Sequence, residues 1–217
     1  MTFLPLRCPP LDALLGGGLE VGIVTKLYGE PGTGKTNCCL QAVRECAAAG
    51  KKSVYVDTEG VSIERLRQIC SETVFNDVLR TVFFYRPATF SAQEKMVAHA
   101  VQMRGIGLVV VDTVNRLYRG KQGAELEESV RSFVRQMTTL QVAARQKRMG
   151  VLVTEQVYTD RLGQIRPFTS RQTESMVKTV VELSRLDPSR REAVLVRHRR
   201  QPVGLRAVFA ITTSGLV

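Results

Sequence analysis

Gly29-Glu30-Pro31-Gly32-Thr33-Gly34-Lys35-Thr36 fits the spacing G-x-x-x-x-G-K-[ST], in which a backbone loop wraps the phosphates of a nucleoside triphosphate. Glycines there permit positive φ angles and a close approach that side chains would obstruct. In this pattern Lys35 reaches the β- and γ-phosphates and the Thr36 hydroxyl ligates Mg²⁺. Residues 23–28 read as the strand that must precede such a loop, and residues 37–49 as the helix that must follow it. That helix, opened by Asn37, aims its positive end at the anion. A chance glycine-rich turn would lack this setting. Residues 29–37 are therefore expected to bind a nucleoside triphosphate.

The 217 residues, 44% of them hydrophobic, suit one generous domain with a sizeable core, preceded only by a short lead-in over residues 1–22. No apolar run reaches the length of a membrane span, and no basic region followed by an apolar signal core opens the chain. A cytoplasmic protein is expected. Cys8, Cys38, Cys39, Cys46 and Cys70 include no C-x-x-C pair, so they read as buried thiols of a reducing compartment. His99 and His198 are the sole histidines and suggest no metal cluster.

Charge is uneven. The formal net charge is +11, with 12 Lys/Arg against 10 Asp/Glu in residues 1–110 and 19 against 10 in residues 111–217. A second half so rich in arginine suits a polyanionic partner such as nucleic acid, although a solvated basic surface fits the charge equally well.

Along the chain, residues 11–22 form a short apolar turn broken by glycines. Residues 53–57 are a second strand that delivers Thr58-Glu59-Gly60 at its C-terminal end, the edge where open α/β sheets bind ligands. A helix over 63–70, a strand over 82–85 and a helix capped by Ser91 follow, with Glu94 completing a capping box. Residues 107–113, Gly-Leu-Val-Val-Val-Asp-Thr, are a buried strand ending in a carboxylate. Placed after a phosphate loop, Asp112 is expected to hold Mg²⁺ together with Thr36. A loop over 114–124, a long helix over 126–147, a strand over 149–154 and a loop over 157–172 come next. Residues 176–183, 193–199 and 205–212 read as closing strands. The fold class is α/β: a mainly parallel twisted sheet flanked by helices, with antiparallel C-terminal strands.

Triphosphate hydrolysis also requires a base for water and a group that senses the γ-phosphate. Glu59 follows the 53–57 strand, which is expected to lie beside the phosphate-loop strand, and is the candidate base, Lys35 sharing the catalytic work. Gln156, at the end of the strand after Asp112, is the candidate sensor. The plainer alternatives are a solvated turn glutamate and a polar strand cap.

These residues also carry a resemblance. Leu11-Asp12-x-Leu14-Leu15-x-Gly17-Gly18, Tyr55-Val56-Asp57-Thr58-Glu59-Gly60, Val111-Asp112-Thr113-x-x-x-Leu117-Tyr118-Arg119 and Val153-Thr154-x-Gln156-Val157 are similar to segments of the RecA-type recombinases of archaea and eukaryotes. The likeness covers nearly the whole chain. It implies a RecA-like ATPase core that uses ATP and Mg²⁺, with Glu59 as catalytic carboxylate, Gln156 relaying the nucleotide state to DNA, and Arg65 stacking on adenine. It also implies that loops 114–124 and 157–172 line a DNA channel, which selects Arg116, Arg119, Lys121, Arg161, Arg166 and Arg171.

The departures are informative. Only residues 1–22 precede the core, where full recombinases carry a helical DNA-binding domain. No filament-forming phenylalanine-and-alanine motif is evident there, the second DNA loop looks short, and Glu155 stands where an asparagine is usual. A bare basic core resembles the archaeal RadB paralogs. That likeness implies bound ATP, weak hydrolysis, single-stranded DNA, assistance to a main RadA-type recombinase, and association with a Holliday-junction resolvase. A minimal strand-exchange recombinase and a signalling ATPase with a protein partner are the alternatives.

Arg197-His198-Arg199-Arg200, read as strand, should place Arg197 and Arg199 on one face and His198 and Arg200 on the other. These arginines are candidates for phosphate contact, the alternative being an edge strand charged against aggregation. Gln201-Pro202 falls where a proline turn caps a neighbour's ATP in filament-forming relatives, which implies a homo-oligomer.

Overall fold

The structure is a computed structural model, and it describes residues 2–118, 123–159, 165–167 and 175–217, with backbone alone at 118, 124, 159 and 165–167. The chain opens with β1 (Phe3–Leu4), α1 (Pro9–Leu14) and β2 (Leu19–Glu20). It continues through β3 (Val24–Gly29), α2 (Lys35–Ala48), β4 (Lys52–Asp57), α3 (Ile63–Ile69), α4 (Glu72–Thr81), β5 (Val82–Tyr85), α5 (Phe90–Gln102) and β6 (Ile106–Asp112). After a 3-10 turn at Arg116–Tyr118 come α6 (Gly123–Lys147), β7 (Gly150–Glu155), β8 (Val157–Thr159) and β9 (Ile165–Pro167). The last strands are β10 (Thr179–Arg185), β11 (Arg190–Arg197), β12 (Arg206–Thr212) and β13 (Gly215–Leu216).

The main sheet has the order β13-β12-β11-β10-β3-β7-β6-β4-β5. Strands β7 and β6 thus stand between β3 and β4, and the strand that delivers Glu59 is not the expected neighbour of the phosphate-loop strand. From β10 through β5 every pairing is parallel, whereas β10 to β13 run antiparallel. Parallel strands covered on both faces read as continuous apolar runs, and the β6 run Leu108–Val111 is wholly buried. Alternation sends Leu108 and Val110 to the face under α1–α4, and Val109 and Val111 to the face under α5 and α6. Because β3, β4, β6 and β7 are mutually parallel, Gly29, Asp57, Asp112 and Glu155 all end at one edge of the sheet, with Asp57 and Asp112 in register.

Four local expectations are corrected. Helix α4 lies over residues left unassigned between the 63–70 helix and the 82–85 strand; Ser71 caps it by accepting from Val74 N. Helix α5 is capped by Thr89, whose hydroxyl accepts from Ala92 N at 3.1 Å, and not by Ser91. The capping box stays open because Glu94 instead accepts from Arg135 Nε at 2.6 Å across on α6. Residues 157–159 and 165–167, expected within a loop, pair as a short antiparallel hairpin; three-residue strands are too short to show alternation.

The fourth correction concerns residues 198–200. Strand β11 stops at Arg197. His198 Nδ1 then accepts the backbone N–H of Arg200 (3.1 Å) and of Gln201 (2.9 Å), which folds the chain into a tight turn. Arg199 and Arg200 therefore converge on one carboxylate, Glu20, at 3.4 and 3.3 Å, rather than facing opposite ways.

Candidate nucleotide site

The loop after β3 takes positive φ at Gly32 (78°) and Gly34 (102°), the latter being the residue before α2. Its concavity belongs to a cavity of about 170 Å³ lined by Pro31, Gly32, Gly34, Lys35, Thr36, Asn37, Glu59, Gln156 and Ile211. Candidate residues from three separate stretches of sequence thus share one hollow. Lys35 is buried and donates from Nζ to the carbonyls of Gly29 (2.7 Å) and Glu30 (2.8 Å). Burial pushes its ammonium below the usual lysine value, against the opposing pull of Glu59 and Asp112. Thr33 ties the loop to itself through a bond to the Glu30 carbonyl at 2.8 Å.

Asp112 is 2% exposed and accepts three hydroxyls. Thr36 Oγ1 (2.9 Å) and Tyr55 OH (2.6 Å) reach Oδ2, and Thr154 Oγ1 (2.5 Å) reaches Oδ1. Burial raises the Asp112 pKa, and these three bonds lower it in turn. Tyr55 and Thr154 were not anticipated as site residues. Their signal was register: both lie within two residues of strand tips adjoining β6.

Glu59 is held by the turn after β4. Asp57 Oδ1 accepts the backbone N–H of Glu59 (3.2 Å) and Gly60 (2.8 Å), and Oδ2 accepts that of Val61 (2.8 Å). Gln156 Nε2 donates to Glu59 Oε1 at 2.6 Å. Asn115, also missed, grips the backbone of Gln156 from both sides, its Oδ1 accepting from N and its Nδ2 donating to O, each at 3.3 Å. Arg65 donates from Nε to Asn37 Oδ1 (2.7 Å), from Nη2 to the Thr212 carbonyl (2.7 Å) and from Nη1 to the Thr213 carbonyl (2.8 Å). It joins the first turn of α2 to the C-terminal hairpin.

The basic candidates separate. Arg116 sits at the nucleotide edge and donates from Nε to the Thr58 carbonyl at 3.0 Å, beside Glu59. Arg197, Arg199 and Arg200 lie at the opposite edge of the sheet, since Arg197 pairs with Val180 at the start of β10. Arg119, Lys121, Arg161 and Arg171 lie outside the described residues, and Arg166 is placed by its backbone on β9.

The residues fit ATP and Mg²⁺. Pro31, Gly32, Gly34 and Lys35 line the cavity where phosphate would lie, and Thr36 and Asp112 offer two oxygen ligands, as suits an ion that keeps most of its waters. Among the described residues no group of three or more His, Cys, Asp or Glu could hold a metal, and no helix is long and apolar enough to cross a membrane.

A family model described as Rad51 matches residues 5–184. A DNA repair and recombination protein RadB of Methanococcoides burtonii is 34% identical over 215 residues, covering 96% of this chain and 95% of that one. Its counterpart from Halobacterium salinarum is 36% identical over 223 residues, covering 99% and 94%. A crystal structure of the RadB recombinase superposes with a TM-score of 0.83 at 33% identity, covering 99% of this chain and 98% of that one. The chain belongs to the Rad51 family and, within it, to the RadB proteins.

Proposed function

We propose that this chain binds ATP with Mg²⁺ and single-stranded DNA, and assists a main RadA-type recombinase in homologous recombination and DNA repair while hydrolysing ATP weakly. The observation that carries this reading is the 2.6 Å bond from Gln156 to Glu59 inside the phosphate cavity. It joins a carboxylate suited to activating water to the amide that leads into the β8–β9 hairpin. A Glu59 oxygen occupied by an amide is less available to water, which favours slow turnover.

In this reading Gly32, Gly34 and Lys35 hold the phosphates, Thr36 and Asp112 hold Mg²⁺, and Arg65 and Asn37 mark the nucleoside end. When bound, Mg²⁺ neutralises charge on the phosphate oxygens. Lys35 exchanges its two carbonyl partners for phosphate. Glu59 orients water and takes its proton at Oε1 or Oε2, once Gln156 turns away. Arg116, with the loops that hold Arg119, Lys121, Arg161, Arg166 and Arg171, contacts DNA. Association with a Holliday-junction resolvase and with further copies of the chain belongs to the same reading, on the family resemblance.

The test is ATP hydrolysis with and without single-stranded DNA, alongside a Lys35→Ala control. Hydrolysis near background despite tight binding of both ligands supports the assisting role. Strong stimulation by DNA that the control abolishes would instead make the chain an active strand-exchange recombinase.

A further inference from the structure

We propose that Arg185 is a second cation of the nucleotide site, supplied by the same chain, that reads the terminal phosphate of a triphosphate. The inference rests on the reading of residues 29–37 as a nucleotide site. Arg185 closes β10, and Arg191 stands just after the turn where the chain returns as β11. A Cβ built on Gly32, at the apex of the phosphate loop, would lie 2.6 Å from Arg185 Nη2. The guanidinium thus rests against bare backbone. Arg191 Nε donates to the Gly32 carbonyl at 3.0 Å, which pins the apex in place.

Neighbouring groups explain why Arg185 is left over. Asp187, the nearest carboxylate in sequence, is committed to Arg190 at 2.6 Å and to the amides of Ser189 and Arg190. Arg191 is further occupied by the carbonyls of Asp187 and Pro188. Glu30, the carboxylate of the loop itself, makes no ion pair among the described residues. Arg185 is exposed; its backbone is paired with Arg191 in the β10–β11 ladder, but its guanidinium has no hydrogen-bond or ion-pair partner among the described residues either.

Two guanidinium groups and the Lys35 ammonium therefore surround one short loop, a concentration of positive charge that attracts an anion. A guanidinium matches phosphate oxygens in geometry as well as charge, and an arginine supplied in cis is an established way to meet charge on a γ-phosphate. Asn37 and Arg65 mark the nucleoside end, so the apex at Gly32 faces the phosphate tail. Arg185 should then distinguish ATP from ADP.

The experiment compares calorimetric affinities for ADP and for a non-hydrolysable ATP analogue, both with Mg²⁺. The proteins are the unaltered chain, Arg185→Ala, Arg185→Lys and Lys35→Ala. One charge-assisted contact predicts that Arg185→Ala loses about tenfold or more in affinity for the ATP analogue. ADP affinity should stay within about twofold, with Arg185→Lys intermediate and the melting temperature of Arg185→Ala unchanged. Equal loss for both nucleotides, or loss for neither, would overturn the proposal. An unaltered chain that binds neither nucleotide would overturn the nucleotide reading itself.

Discussion

Lys26 Nζ and Glu155 Oε2 lie 3.0 Å apart in the interior, on the adjacent parallel strands β3 and β7, with both side chains almost wholly buried. Glu155 is the residue that departs from the usual asparagine, and this ion pair accounts for a carboxylate there. It holds the strand tip that continues directly into Gln156. Breaking one partner of a buried pair strands a charge and costs about 3–5 kcal/mol. Glu155→Ala should therefore lower unfolding free energy by that order in denaturant titrations, and Lys26→Met with Glu155→Leu should recover at least half of the loss. A double variant no more stable than Glu155→Ala would contradict this account.

The Gln156–Glu59 bond separates two roles by substitution. Glu59→Gln should keep nucleotide affinity and lower hydrolysis by about 10²-fold or more. Gln156→Ala frees the carboxylate, so basal hydrolysis should rise while its response to single-stranded DNA disappears. Steady-state assays with and without DNA decide the point; a fall in basal rate would mean that Gln156 supports the chemistry directly.

His198 gives a dependence on pH. Burial lowers its pKa below the ordinary histidine value, Glu20 opposing and the arginines Arg200 and Arg199 reinforcing the shift. The neutral ring accepts two amides at Nδ1, and protonation there removes both bonds. A depressed pKa means that this contribution to stability is present above the unfolded value, about 6.5. It is lost as pH falls through the folded value. The melting temperature should drop more steeply on acidification in the unaltered protein than in His198→Ala; parallel curves would show that the ring does not hold the turn.

Arg116 offers a test of DNA contact. If its guanidinium meets phosphate, Arg116→Ala should weaken single-stranded DNA binding and reduce the log–log salt slope by about one unit. Alanine at Arg161, Arg166 and Arg171 together should reduce the slope further. Affinity unchanged in the triple variant would place the DNA elsewhere, with Arg197, Arg199 and Arg200 at the far edge as the remaining candidates.

Long-range convergence was legible where strand tips carry it. Parallel strands with continuous apolar runs send their C-terminal residues to one edge, so Lys35, Thr36, Asp112 and Gln156 could be gathered from their places at strand tips. Glu59 reaches the same edge although its strand is two strands further from β3 than expected. Supporting contacts were harder to read. Tyr55 and Thr154 reach Asp112 only because neighbouring strands stand in one particular register, and Asn115 looks like an ordinary loop residue until Gln156 is placed beside it. Local competition misled in two places. Thr89 and Ser91 are both good helix caps, and Glu94, which would have closed a box on Ser91, is bonded instead to Arg135 on a distant helix. The basic run after β11 is bent by a histidine accepting amides, an event that alternation cannot anticipate.

Asp57 and Asp112 are the same residue at equivalent points of neighbouring strands, yet they are fastened differently. Three backbone amides hold the first, with the Arg86 guanidinium 3.4 Å away, and an amide cannot turn away without unmaking the chain around it. Side-chain hydroxyls hold the second, each chemically able to serve as donor or acceptor. One aspartate is thus a rivet and the other a latch. In the proposed nucleotide reading, a cation that meets Asp112 would trade places with side-chain hydroxyls, while the turn that carries Glu59 would keep its backbone bonds.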